Sequence, residues 1–111
     1  MPAIDKKTFE ALKQMSGADF IDELIDTFLE DGPQQIDALK AALGSNDAGS
    51  FRRAAHSLKS NAATFGAQEL AALAKELEDL GRAQNLMVGT KLAALEEAFR
   101  SVANELKGPR T

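Results

Sequence analysis

With 111 residues the chain has room for one domain and one core, and its 44% hydrophobic content is ordinary for a globular protein. A net charge of -4 and a pI near 5.0 argue against nucleic acid as a partner, and the lack of cysteine excludes disulfides, thiolate metal sites and a cysteine nucleophile. No apolar run approaches the roughly 20 residues that span a bilayer and no signal-peptide core follows Met1, so a cytoplasmic protein without a membrane partner is expected.

Helical periodicity runs through the chain, and no alternating strand pattern interrupts it. A short first helix starts near Asp5, an N-cap residue type, and carries Phe9, Leu12 and Met15. Ser16 and Asp19 have the spacing of a capping box, with Asp where the box prefers Glu or Gln. Phe20, Ile21, Leu24, Ile25, Phe28 and Leu29 cover about half the circumference of a second helix, which predicts two packing neighbours. Gly32-Pro33 interrupts the pattern, but Ile36, Leu39 and Leu43 continue it almost in phase. The reading is one continuous helix kinked at the proline. Gly44-Ser45-Asn46-Asp47 ends it and supplies N-caps for the next.

In the third helix Phe51, Ala55, Leu58, Ala62 and Phe65 form one apolar stripe at steps of three and four. Arg52, His56, Lys59, Ser60 and Ala63 repeat that spacing on another side, which places the chain's only histidine on the polar face. Gly66 closes the helix with a residue able to turn left-handed. A fourth helix follows from Ala67 with Leu70, Leu73, Ala74, Leu77 and Leu80 inward, and residues 81–85 read as a turn. The last helix carries Val88, Leu92, Leu95, Phe99, Val102 and Leu106, and Gly108-Pro109 terminates it. The fold class is all-α: one domain over 1–111, an antiparallel up-and-down four-helix bundle with a short N-terminal helix.

Little catalytic machinery fits this pattern. One histidine rules out a His-rich metal site, and the carboxylates scatter without a ligand spacing. Ser57 neighbours His56, but adjacent helical residues point about 100° apart and cannot form a Ser-His couple. Glycines stand singly at helix ends, with no phosphate-cradling loop, so ATP-dependent chemistry is not expected. An exposed histidine is usually a solvated one. Here it has a cation and small residues within a turn, an arrangement that suits an accessible imidazole nucleophile. A phosphoryl group on that ring would sit near Lys59, a charge pair worth about 1 to 4 kcal/mol at about 4 Å, with exposure favouring the low end.

The run Ala55-His56-Ser57-Leu58-Lys59-Ser60, then Phe65-Gly66-Ala67, Leu70, Leu73, Leu77-Glu78 and Leu80-Gly81-Arg82, resembles the histidine-containing phosphotransfer (HPt) domain. The resemblance implies a four-helix bundle capped by the first helix. It also implies a phosphorelay intermediate that carries a phosphoryl group between aspartates of receiver domains. His56 then matches the phosphorylated histidine, Lys59 the lysine that supports the phosphoryl group, and Ser60 a small position that is often glycine. Glu78 stands where several members have glutamine, leaving two readings open: acceptor from one ring nitrogen of His56, or an i,i+4 partner of Arg82. The implied partners are response-regulator receiver domains and a hybrid histidine kinase, with the chain itself a monomer. It holds no cofactor; a divalent cation is expected in the receiver.

Arg52, Ala63 and Arg82 are the expected partner contacts, with Phe20 or Ile4 near the rim of an apolar docking surface. Two other classes share these features: a phosphoacceptor domain served directly by a kinase ATP-binding domain, and a helical adaptor that is never phosphorylated.

Overall fold

The computed structural model describes residues 3–107, apart from the side chain of Ala18, so the expected terminator Gly108-Pro109 lies outside the described residues. Five α-helices account for the ordered elements: α1 (Lys6–Ser16), α2 (Ala18–Gly44), α3 (Ala48–Phe65), α4 (Gln68–Arg82) and α5 (Lys91–Lys107). No strand occurs among the described residues. No helix there is long and apolar enough to cross a membrane.

Local chemistry sets most of the boundaries. Asp5 caps α1 by accepting from the Thr8 amide at 3.1 Å, and Asp47 caps α3 by accepting from Ser50 at 3.1 Å. Gly66 closes α3 at φ 76°, a left-handed backbone conformation that glycine adopts without steric cost. Pro33 sits inside α2, which runs unbroken through it, as the in-phase apolar positions predict.

Two boundaries differ from the sequence reading. Ser16 closes α1 and Gly17 stands at the start of α2 without a side-chain cap, so Ser16 and Asp19 form no capping box. Gly81 and Arg82 belong to α4 rather than to a turn, because the helix is held against α3 at that point.

The core gathers one face of each long helix. The stripe Phe51, Ala55, Leu58, Ala62 and Phe65 is fully buried, and so are Leu70, Ala74 and Leu77 opposite it. Leu73 and Leu80, expected inward, are only partly buried at the edge of the core. Phe28 ties three helices together, with its ring 5.1 Å from Phe65 of α3 and 5.4 Å from Phe99 of α5. Val88 through Leu106 all lie inward as read, although Val88 precedes the helix.

Residues before α1 strap one end of this core. Ile4 is buried, with its amide 3.2 Å from Glu105 and the Asp5 amide 2.8 Å from the carbonyl of Gly66.

Candidate functional site

Helix α3 presents the site because its two faces are so unequal. Leu58 and Ala62 are fully buried, which fixes the rotation of the helix and turns His56 outward with 57% of its side chain exposed. Ser60 and Ala63 are exposed on the same side, and Arg52 is half-buried one turn earlier.

Helix α4 supplies the rest. Gly81 lies where an added Cβ would be 3.0 Å from Arg52 Cβ and 3.1 Å from its Cα and backbone N, so α3 and α4 approach closely at their backbones. That approach brings Glu78, one turn earlier on α4, under the polar face of α3. Its carboxylate is buried, only 3% exposed, yet fully partnered. Oε2 is 2.7 Å from His56 Nδ1, Oε1 is 2.7 Å from Lys59 Nζ, and Arg82 Nη2 stands 3.5 Å from Oε2. The Lys59 ammonium holds Glu78 below the usual carboxylate range; burial works the other way, and the His56 contact adds to the lowering.

An ionised carboxylate only accepts hydrogen bonds, so the contact at 2.7 Å requires the hydrogen on Nδ1. In the neutral ring the free lone pair is then on Nε2, on a side chain that is more than half exposed. Such a nitrogen is a nucleophile with its orientation fixed from behind.

Both sequence readings of Glu78 hold at once, since it meets His56 and Arg82 together. The pairing with Lys59 was not legible, because its helix and that of Glu78 approach through Gly81, a contact no local pattern announces. Arg82 also reaches Asp79 at 3.3 Å and remains largely exposed.

The expected apolar rim is corrected. Ile4, part of the N-terminal strap, is buried, and Phe20, though exposed, lies at the far end. Phe28 meets Phe65, and Phe20 is a further two turns away from His56, roughly 25 Å along the bundle at 1.5 Å per residue. Among the described residues no cluster of His, Asp and Glu has the arrangement of a metal site.

Comparisons with known proteins agree with this geometry. The family model of the Hpt domain matches residues 23–107. The chain belongs to the Hpt domain family. It is a histidine phosphotransfer protein of a phosphorelay, and Hpt domains are phosphocarriers that work with receiver domains of response regulators.

The crystal structure of histidine-containing phosphotransfer protein B (HptB) from Pseudomonas aeruginosa PAO1 is similar over 98% of this chain and 95% of that one. The identity is 32% and the TM-score 0.92, so the likeness extends from fold to family. Among curated proteins none matches significantly.

Proposed function

We propose that His56 Nε2 is the phosphoryl-carrying atom of this protein, taking the group from an aspartate of one receiver domain and passing it to another. The observation that carries this reading is the orientation of the ring: a buried carboxylate grips Nδ1 at 2.7 Å, leaving Nε2 on the exposed side. Lys59 supports the charge of the phosphoryl group, Ser60 leaves room on the next turn, and Glu78 orients the imidazole. Arg52, Ala63 and Arg82 form the surface that receives the partner.

The transfer balances without a further co-reactant from this chain. The Nε2 lone pair forms a bond to phosphorus as the acyl-phosphate P–O bond breaks. The aspartate leaves as carboxylate, and the ring keeps its Nδ1 proton. Positioning and charge neutralisation dominate such a step, so a rigid helix suffices. In this reading the chain holds no nucleotide site or cofactor, and the divalent cation belongs to the receiver.

The architecture behind it is a single domain, an antiparallel up-and-down bundle of α2 to α5 capped by α1, acting as a cytoplasmic monomer. Support for the arrangement comes from paired contacts that run in opposite directions: Phe28 with Phe65 and Asp31 with Asn61, then Arg52 with Gly81 and His56 with Glu78.

His56→Gln tests the proposal. Acceptance of phosphoryl from a phosphorylated receiver is expected to vanish while the helical fold is retained, since the glutamine amide can still donate to Glu78. Full labelling of the variant would end the carrier reading. Labelling of the wild type by ATP and a kinase with no receiver present would replace the receiver with the kinase as donor.

A further inference from the structure

A lysine that serves a phosphoryl group must be free to reach it, yet Lys59 is already engaged. One carboxylate, that of Glu78, holds Lys59 through Oε1 and His56 through Oε2, both at 2.7 Å. Glu78 is the buried charged residue among the described residues, 2% exposed, so its carboxylate has these side chains rather than water as its partners. The groups facing it are His56 and Lys59 from α3 and Arg82 from its own helix. From α5, Lys91 is engaged elsewhere, by Glu76 at 3.7 Å. Holding the ring in place needs only an acceptor. A full negative charge there does two further things.

The geometry points to Glu78 as a positioning residue that keeps phosphohistidine at His56 labile, by withholding Lys59 from the phosphoryl group and holding the ring proton on Nδ1. This rests on the reading of His56 as the carrier. When Nε2 forms its bond to phosphorus the ring loses no proton, so the product is a phosphoimidazolium whose positive ring faces Glu78. Breaking the P–Nε2 bond returns the electron pair to a ring that departs neutral, which makes the protonated ring the better leaving group. The carboxylate favours that protonated form. It also repels the phosphoryl oxygens and competes with them for Lys59. Both effects shorten the life of the phosphorylated state and favour passing the group on.

The experiment uses phosphoramidate as donor: its P–N bond breaks, ammonia leaves and the P–Nε2 bond forms. Glu78→Gln keeps an acceptor oxygen for Nδ1–H and removes the charge. Followed by phosphorus NMR at neutral pH, its phosphohistidine is expected to outlast the wild type by about tenfold; an equal or shorter lifetime overturns the proposal. Lys59→Ala is expected to shorten the lifetime more in the Glu78→Gln background, where the lysine is free, than in the wild type. Equal effects overturn it. Should Glu78→Gln fail to fold, the wild type still decides: the ammonium nitrogen resonance of Lys59 is expected to stay in place on phosphorylation because Glu78 retains it, and a marked shift as Lys59 moves to the phosphoryl oxygens overturns the proposal. No receiver enters these measurements, so a receiver that fails to label His56 counts against the carrier reading alone.

Discussion

Two seams of the bundle each rest on a glycine, and they are built differently. Between α3 and α4, Gly81 admits the backbone of Arg52, and a carboxylate, an imidazole and an ammonium meet one turn away. Between α2 and α5, Gly32 admits the ring of Phe99, which lies tilted against Phe28 with centroids 5.4 Å apart. The first seam has no side chain that can move aside, whereas the second closes on a ring that can. In the proposed reading His56 carries the reacting group, which is best placed where neighbours cannot drift, and His56 stands on the first seam.

The sharpest way to break this comparison is to add one methyl group to each seam. In Gly81→Ala the new carbon would meet Arg52 Cβ at 3.0 Å and its Cα and N at 3.1 Å, so the helices must part by a few tenths of an ångström. Overpacking costs about 1 to 3 kcal/mol, offset by about 1 kcal/mol of helix propensity. The displacement falls directly on the contact of Glu78 with His56, and transfer is expected to slow by about tenfold or more. In Gly32→Ala the carbon would lie 2.2 Å from Phe99 Cε2, so the ring must swing off Phe28. Thermal melts are expected to show the greater stability loss there, with transfer unchanged. Equal transfer rates in the two variants would remove the distinction between the seams.

How much of this was legible in the sequence follows from the same distinction. Helix α3 could be read closely because steps of three and four residues separate its buried stripe from its reactive face. Pro33 could be passed through because the apolar phase survives on both sides of it. Gly81 was misread as the start of a turn, since a glycine followed by polar residues has the local signature of one. Only the approach of Arg52 explains why a helix tolerates it there.

Ile4 was misplaced for a related reason. Its side chain joins the core while its amide is held by Glu105, more than a hundred positions away, and no periodicity reaches that far. Phe20 fits the apolar arc of α2 by spacing, but it sits at an end where no helix covers it. Glu78 was half legible: its turn-to-turn pairing with Arg82 is local, and its grip on Lys59 is not.

Acid titration sharpens the contrast more gently. The folded carboxyl of Glu78 lies below its ordinary value of 4.5, chiefly through Lys59. Its contribution to stability is therefore complete above the unfolded value and is lost as pH falls through the lower folded one. Melting temperatures taken from about pH 6 down to about pH 3 are expected to fall more steeply for the wild type than for Glu78→Gln. The depressed caps Asp5 and Asp47 are common to both proteins and cancel in the difference. Parallel curves would show that the buried carboxylate takes no part in folding the first seam.

The smallest effect is expected on the second seam, from its own ion pair. Lys40 on α2 reaches Glu96 on α5 at 3.2 Å, longer than the 2.7 Å of Lys59 with Glu78, and its side chain is 51% exposed against 31% for Lys59. Water screens such a pair, and ordering two long side chains offsets much of the attraction, so its coupling is about 0.2 to 1 kcal/mol. A double-mutant cycle with Lys40→Ala and Glu96→Ala is expected to return a value in that range that shrinks further in high salt. Neither change touches α3, so the phosphohistidine yield at His56 stays as in the wild type. The same pairing of residue types thus serves two ends, decided by burial: on the second seam it is a solvated contact between neighbouring helices, and on the first it holds the side chains around His56. A coupling above about 2 kcal/mol for Lys40 with Glu96, or a changed yield at His56, would mean that the second seam is bound to the site after all.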